Sequence, residues 1–327
     1  MASTNSIFMF RILANDGIDP IGKDLLEKAG FQVDTTHIPQ AELAEGLKNY
    51  DGITVRSATK VRKELIDACP NIKLIGRGGV GMDNIDVDYA REKGLAVVNT
   101  PAASSLSVAE LVFAHLFTGI RFLQDSNRKM PVEGNTKFND LKKAYAKGVE
   151  LRGKKIGIIG FGRIGRETAK VALGLGMDVL AYDLFQIPSE LELVLSRNTR
   201  VNCPINAVSF DQLIKESDFI SLHVPFSEKP ILGKDEFSIM KDGVGVVNCS
   251  RGGTIDEDAL LEALKSGKVG FAGLDVFDNE PTPRQDLLSH PNVSLTPHIG
   301  ASTNEAQERI GTELANLIID FFKNSKT

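Results

Sequence analysis

Short apolar runs alternate with segments of helical periodicity along most of the chain. Among residues 1–100 we predict strands at 11–14, 31–34, 52–55, 73–75 and 96–98, with helices such as 21–28 and 63–68 between them. Strands that alternate with helices in this way are typical of α/β proteins with mostly parallel sheets. This part of the chain is therefore expected to form one compact sheet.

A strongly apolar helix is predicted at 104–122, followed by a polar, lysine-rich segment at 121–150 without a strand pattern. The strand and helix alternation resumes after Leu151 and continues to about Leu295, and an amphipathic helix is predicted at 303–322. We predict two Rossmann-like or flavodoxin-like doubly wound domains with a cleft between them. The first comprises 1–100 plus 300–327, so that the last helix returns to its sheet, and the second comprises 101–299.

Composition narrows the class of protein. The 327 residues exceed the usual size of one core, and 42% hydrophobic with 25% charged residues is ordinary for a soluble globular protein. A net charge of −5 without a basic cluster does not favour nucleic-acid binding, and no apolar run is long enough to span a membrane. Cys69, Cys203 and Cys249 are too scattered for a disulfide framework or a zinc site. A cytoplasmic protein without a metal is therefore expected.

A glycine motif follows the apolar run at 156–159. Gly160, Gly162 and Gly165 have the spacing GxGxxG, and a helical pattern and a second apolar run follow, ending at Asp183. The first glycine permits a tight turn, the second lets the backbone approach a pyrophosphate, and the third lets helix pack closely on strand. The new helix presents free N–H groups to the phosphates, and Asp183 can accept hydrogen bonds from ribose hydroxyls. The pattern predicts a dinucleotide-binding domain.

The residues that follow this acid indicate which dinucleotide binds. Leu184 and Phe185 come next, and neither carries a positive charge. A carboxylate here would repel the 2′-phosphate of NADP, so NAD(H) is the predicted cofactor.

Three candidate catalytic residues come directly after predicted strands of the second domain. They are Arg251, Glu280 and His298. An arginine can hold a carboxylate through paired hydrogen bonds, a histidine can accept a hydroxyl proton, and an acid can stabilise the protonated imidazole. Together they suit hydride transfer at a carbon that bears oxygen. Each alone has a structural alternative, as a surface ion pair or a loop residue, so the prediction depends on their joint placement.

Further candidates lie after other strands. His223 is predicted to line the cofactor cleft beside Pro225, and Arg56 with Ser57 ends a strand of the first domain. The glycine-rich segment 76–84 can form an anion-binding nest, although a tight turn that packs on a helix explains it equally well. Asn99 lies where the chain would cross between domains.

Motifs across nearly the whole chain resemble those of the D-isomer-specific 2-hydroxyacid dehydrogenase family. They are VRSATKV at 55–61, IGRGGVGMDNID at 75–86, NTPAASSLSVAEL at 99–111, GKKIGIIGFGRIGRE at 153–167, VVNCSRGGTIDEDALLEAL at 246–264, AGLDVFDNEP at 272–281 and TPHIGASTNEAQ at 296–307. The resemblance implies Arg251 as the substrate-anchoring cation, His298 as the acid/base and Glu280 as its partner.

The same resemblance implies roles for two further groups of residues. The cofactor would be bound by Gly160, Gly162, Arg163, Ile164, Gly165, Asp183, His223, Pro225, Cys249, Ser250, Asp275 and Gly300, with Asp275 near the nicotinamide amide. The substrate would be bound by Arg56, Ser57, Val80, Gly81 and Asn99 of the first, substrate-binding domain.

Within the family the chain is similar to members that oxidise 3-phospho-D-glycerate with NAD, the first step of L-serine synthesis, and these are homodimers joined through the NAD-binding domain. Reduction of glyoxylate or hydroxypyruvate remains an alternative, as does an NAD(H)-sensing, corepressor-like binding protein. Residues 125–150 depart from the tryptophan-containing stretch usual in the family, and Lys142, Lys143 and Lys147 are candidate replacements for its phosphate contacts. The end at Thr327 implies no C-terminal serine-binding regulatory domain.

Overall fold

The computed structural model describes residues 10–324. These residues divide into two compact units, one of residues 10–104 and 301–324 and the other of residues 105–300. Residues 1–9 and 325–327, which the predicted first domain includes, lie outside the described residues.

The first unit contains a five-stranded parallel sheet. Its elements up to residue 99 are β1 (Arg11–Ala14), α1 (Pro20–Lys28), β2 (Gln32–Asp34), α2 (Leu43–Gly46), a short 3₁₀ turn (Leu47–Asn49), β3 (Gly52–Val55), α3 (Lys63–Ala68), β4 (Leu74–Arg77), α4 (Val87–Glu92) and β5 (Ala96–Asn99). The strand order β2-β1-β3-β4-β5 is the flavodoxin-like arrangement. The apolar runs at 11–14 and 52–55 coincide with β1 and β3.

The second unit contains a seven-stranded parallel sheet. Its elements are α5 (Ser105–Ile120), α6 (Leu123–Glu133), α7 (Phe138–Ala144), β6 (Lys155–Ile159), α8 (Arg163–Gly174), β7 (Asp178–Tyr182), β8 (Glu190–Ser196), β9 (Thr199–Pro204), β10 (Asn206–Ala207), α9 (Phe210–Glu216), β11 (Phe219–Leu222), α10 (Lys234–Ile239), β12 (Val244–Asn248), α11 (Glu257–Ser266), β13 (Val269–Leu274), α12 (Gln285–Leu288) and β14 (Val293–Leu295). The order β10-β7-β6-β11-β12-β13-β14 is that of a Rossmann fold with a seventh strand.

The predicted alternation of strands and helices is interrupted once. Between β7 and β10 the chain forms an antiparallel hairpin, β8 paired with β9. Leu191 and Leu193 are buried while Glu192 between them is exposed, so the residues alternate with the period of a half-buried strand. The lysine-rich segment also differs from a plain loop, because α6 and α7 lie within it.

The final helix, α13 (Asn304–Asn324), packs on the sheet of the first unit. Leu314, Ile318 and Phe322 on its apolar face join a buried cluster with Ile12 and Leu74. Among residues 10–324 no single helix is long and apolar enough to cross a membrane; the bent pair α5 and α6 passes that test only when the two are taken together, on length and composition.

Candidate active site

The three glycines of the motif each meet a different spatial requirement. Gly160 has a φ of +91°, and a Cβ atom there would lie 2.5 Å from the carbonyl oxygen of His223. A Cβ atom on Gly165 would overlap the carbonyl oxygen of Gly160, so the helix can approach β6 only without one. A Cβ atom on Gly162 would meet no protein atom within 4 Å. Gly162 is therefore dispensable for packing, and the space beside it is open to a ligand.

The groups around this turn fit a dinucleotide. Helix α8 begins at Arg163 with Gly162 as its N-cap, and no side chain caps its first N–H groups. Asp183 lies beside the same turn, because its Oδ2 accepts a hydrogen bond from the N–H of Phe161 and its Oδ1 accepts one from Phe185 at 3.0 Å. Each carboxylate oxygen keeps a second lone pair for a ribose hydroxyl. Leu184 and Phe185 are largely exposed and uncharged.

Glu280 and His298 form a hydrogen-bonded pair. Nδ1 of His298 lies 2.8 Å from Oε2 of Glu280, while Oε1 of Glu280 accepts a hydrogen bond from the N–H of Phe277 at 3.0 Å. Burial would raise the pKa of Glu280, but the hydrogen bond from His298, together with the positive charges of His298 and Arg251, outweighs it and lowers this pKa. The carboxylate is therefore ionised at neutral pH.

Arg251 follows β12, and its backbone is held by the strand it leaves. Its carbonyl oxygen accepts hydrogen bonds from Nδ2 of Asn248 at 2.9 Å and from the hydroxyl of Thr254 at 2.8 Å. Its Nη1 donates to the carbonyl oxygen of Ser250 at 2.6 Å. Because its charge contributes to the lowered pKa of Glu280, Arg251 shares one region with the Glu280–His298 pair.

A cavity of about 410 Å³ lies beside the Glu280–His298 pair. Its wall is otherwise mainly apolar, with Phe277, Leu288 and Leu295 among its residues. The imidazole, with 42% of its side chain exposed, therefore lies between this apolar wall and solvent.

Asp275 fixes the loop that carries His298. Its side chain is 1% exposed; Oδ1 accepts hydrogen bonds from the hydroxyl of Thr296 at 2.6 Å and from the N–H of Ile299 at 2.8 Å, and Oδ2 accepts one from the N–H of Gly300 at 2.8 Å. These contacts bracket His298, which has the left-handed φ of +55° that is uncommon outside glycine. The predicted contact of Asp275 with the nicotinamide stays a prediction.

A buried histidine extends this network. Nδ1 of His115 lies 2.8 Å from the hydroxyl of Ser294, and its Nε2 lies 3.1 Å from the hydroxyl of Thr296. The Thr296 hydrogen is given to Asp275, so Thr296 accepts from Nε2 and the His115 Nδ1 accepts from Ser294. Burial lowers the pKa of His115, and the charge of Asp275 offsets this only in part. The ring of His115 is therefore neutral, with its hydrogen on Nε2.

Other predicted cofactor residues follow strands of the seven-stranded sheet. His223 follows β11, and its Nε2 lies 2.9 Å from the hydroxyl of Ser221. Burial lowers the pKa of His223 to about 3, so its imidazole is neutral. Cys249 and Ser250 follow β12 and are buried; burial, together with the charge of Asp275, raises the pKa of the Cys249 thiol, which excludes a thiolate there. Pro225 is exposed.

The predicted substrate residues of the first unit follow neighbouring strands. Arg56 and Ser57 come after β3, Val80 and Gly81 come after β4, and Asn99 ends β5. Nδ2 of Asn99 donates to the carbonyl oxygen of Val80 at 2.6 Å. The carboxyl edge of this sheet thus presents these residues together, as expected where α/β sheets bind ligands.

Several residues of these sites escaped the sequence analysis. Asp16 and Asn84 hold the loop that carries Arg56, and Thr296 with His115 supports the loop that carries His298. Asp16 does follow β1 and Thr296 does follow β14, so their positions after strands were the available signal. Nothing in the sequence links His115 to Thr296.

Comparison with known proteins agrees with this geometry. Residues 113–300 match the family model described as "D-isomer specific 2-hydroxyacid dehydrogenase, NAD binding domain". A hydroxypyruvate reductase of Thermotoga maritima is 46% identical over 94% of this chain and 97% of its own length. A D-3-phosphoglycerate dehydrogenase of Methanocaldococcus jannaschii is 42% identical over 95% of this chain, which spans only 57% of that relative. The structure of D-lactate dehydrogenase from Aquifex aeolicus, complexed with NAD and lactic acid, has a TM-score of 0.77, with 31% identity over 96% of each chain.

These findings define a class of NAD-dependent D-2-hydroxyacid dehydrogenases. The chain belongs to the D-isomer specific 2-hydroxyacid dehydrogenase family, and its cofactor is NAD.

Proposed function

We propose that this chain oxidises 3-phospho-D-glycerate to 3-phosphohydroxypyruvate. The observation that carries the chemistry is the 2.8 Å contact between His298 and Glu280, with the charge of Arg251 nearby. When NAD⁺ is bound it is the acceptor for the hydride that leaves C2. The hydroxyl proton passes to the protein.

Each member of the trio would have its own task. Arg251 binds the C1 carboxylate and the C2 oxygen, which orients the carbon that loses hydride. Nε2 of His298 accepts the hydroxyl proton, because Nδ1 is already engaged by Glu280. The ionised Glu280 stabilises the imidazolium that forms, and the proton then passes to solvent from the exposed side of His298.

Arg56 would bind the distal phosphate. It lies at the carboxyl edge of the first sheet, and its planar guanidinium suits a phosphate through paired hydrogen bonds. Relatives named D-3-phosphoglycerate dehydrogenase match nearly all of this chain, at 42% identity in Methanocaldococcus jannaschii and 41% in Archaeoglobus fulgidus.

A second candidate is the reduction of hydroxypyruvate or glyoxylate. The 46% identity to hydroxypyruvate reductase, which this chain matches over almost its full length, favours it. The same trio would serve, with His298 donating a proton as the C2 carbonyl is reduced. Hydroxypyruvate has a hydroxyl where the substrate of the first candidate has a phosphate, and glyoxylate has no third carbon.

The two candidates are separated by substrate preference. We would measure NADH formation at alkaline pH with 3-phospho-D-glycerate, D-glycerate and D-lactate, and NADH consumption with 3-phosphohydroxypyruvate, hydroxypyruvate and glyoxylate. The proposal is supported if kcat/KM is higher for 3-phospho-D-glycerate than for D-glycerate and higher for 3-phosphohydroxypyruvate than for hydroxypyruvate. The reverse preference supports the second candidate. His298→Ala, purified in parallel, identifies any contaminating activity. NADH binding without turnover on any of the six acids would overturn both candidates in favour of a binding protein.

The proposal includes a homodimer formed through the second unit. Helices α6 and α7 expose the apolar side chains of Met130, Val132 and Phe138, which a second copy could cover. Light scattering distinguishes a 35.5 kDa monomer from a particle of twice that mass.

A further inference from the structure

Hydrogen bonds hold both the N–H groups and the carbonyl groups of the loop that follows β3. Oδ2 of Asp16 accepts hydrogen bonds from the N–H groups of Arg56 at 2.7 Å and Thr59 at 3.0 Å, and Oδ1 of Asp16 accepts one from the Thr59 hydroxyl at 2.5 Å. From the other side, Nδ2 of Asn84 donates to the carbonyl oxygens of Arg56 at 2.8 Å and Thr59 at 2.6 Å. The N–H and the carbonyl group of both loop residues are therefore engaged, and the backbone that carries Arg56 is fixed.

The side chain of Arg56, unlike its backbone, is not held by hydrogen bonds within residues 10–324. Its aliphatic part passes Gly78, where an added Cβ atom would lie 3.8 Å from Cγ of Arg56. Within residues 10–324 its guanidinium forms no hydrogen bond or ion pair. Arg56, Asp16 and Asp19 line one cavity of about 240 Å³, but both carboxylates already have other hydrogen-bond partners. Asp16 holds the loop, and Asp19 caps helix α1 by accepting a hydrogen bond from the N–H of Ile21.

We propose that Asp16 is a positioning residue for substrate recognition, which fixes the 56–59 loop so that the Arg56 guanidinium is available to the distal anionic group of the substrate. This proposal rests on the proposed function of Arg56. A cation on a backbone that is already ordered loses less conformational entropy when it binds an anion than one on a mobile loop. The network of Asp16 and Asn84 supplies this order before substrate arrives.

The sign of the charge separates this role from a simple electrostatic one. Asp16 is an anion close to a site for an anion, so by Coulomb's law its charge opposes substrate binding. Neutralising it would lower the KM for a phosphorylated acid if charge were all that mattered. If positioning dominates, Asp16→Asn raises this KM, because an amide has one acceptor oxygen where the carboxylate has two, so at least one of the three hydrogen bonds that Asp16 accepts is lost.

The experiment is a double-mutant cycle on the KM for 3-phospho-D-glycerate. Asp16→Asn is expected to raise this KM on the order of tenfold, the effect of losing hydrogen bonds to a charged group, with kcat and the KM for NAD⁺ little changed. Asp19→Asn is the matched control, because it removes the same charge from the same cavity and still caps α1, and its KM should stay level or fall. In the Arg56→Ala background, Asp16→Asn should add nothing.

Each outcome decides one claim. A raised KM in Arg56→Ala with an unchanged or lowered KM in Asp16→Asn overturns the positioning role and leaves the proposed function intact. An unchanged KM in Arg56→Ala overturns the role of Arg56 and the positioning role with it. Equal effects of Asp16→Asn in both backgrounds would show that Asp16 does not act through Arg56. Should Asp16→Asn not fold, Asn84→Ala tests the same loop from its carbonyl side, with the same expected rise.

Discussion

Glu280 fixes which nitrogen of His298 is free to receive a proton. Its ionised Oε2 lies 2.8 Å from Nδ1 of His298, so Nδ1 carries the hydrogen and Nε2 is the acceptor. The same carboxylate accepts the N–H of Phe277, which limits its movement. The acid therefore sets the tautomer and also stabilises the protonated ring.

Glu280→Gln is expected to reduce kcat for oxidation by about two orders of magnitude or more, since an amide neither stabilises the imidazolium nor enforces one tautomer. NADH affinity, measured by fluorescence, serves as the control and should be retained. A full rate in Glu280→Gln would contradict the assignment.

Alanine at two glycines of the same motif should affect two different properties, stability at Gly165 and cofactor binding at Gly162. Gly165→Ala is expected to lower the free energy of unfolding by about 1–3 kcal/mol, because its methyl group would overlap the backbone of Gly160. Gly162→Ala should leave stability nearly unchanged and weaken NADH binding, because its methyl group occupies the open space beside the turn. Gly174→Ala, at the end of α8 with nothing within 4 Å of its added Cβ atom, is the control for both measurements. Urea unfolding and NADH titration on the three variants check these outcomes.

The carboxylate of Asp183 should determine the preference for NAD over NADP. Asp183→Asn removes the charge that repels a 2′-phosphate, so the ratio of kcat/KM for NADP⁺ to that for NAD⁺ should rise by about tenfold. A change to serine should raise the ratio similarly, because the effect depends on charge. A ratio unchanged in both variants would show that another residue discriminates between the cofactors.

Stability should fall on the acidic side of neutrality because of two neutral histidines. Burial lowers the pKa of His223 to about 3 and also lowers that of His115, so the unfolded chain binds protons first as pH falls. Their contribution is complete above the unfolded value of about 6.5 and declines below it, with a slope of up to about 1.4 kcal/mol per pH unit for each group. The free energy of unfolding in urea from pH 8 to pH 5 should show this decline. His115→Asn should flatten the slope, and an equal slope in that variant would contradict the assignment.

The parts of the fold that the sequence predicted are those with a local signature. The runs at 52–55 and 293–295 are short, apolar and followed by turn residues, and they coincide with β3 and β14. Arg251, Glu280 and His298 were predicted as catalytic residues because each follows a strand, and parallel strands bring such positions to one edge; their roles stay a prediction.

The parts that were missed lack a local signature. Helix α6 has no buried residue, so no apolar face marked it in the sequence. The bond from Arg56 to Asp16 joins residues 40 positions apart, and the bond from His115 to Thr296 joins residues 181 positions apart. Hydrogen bonds between residues far apart in sequence form only when the fold brings those residues together, so they leave no periodic pattern in the sequence.

The place of α13 in the first unit has a consequence for synthesis on the ribosome. Strands β1 to β5 emerge early, yet Leu314, Ile318 and Phe322, which cover Ile12 and Leu74, are made only after the entire second unit. At the usual rates of translation this interval lasts roughly 10 to 45 s, during which this sheet face is packed by α1 but not by α13. We therefore expect chaperones that shield apolar surface to bind the nascent first unit until the last helix is made.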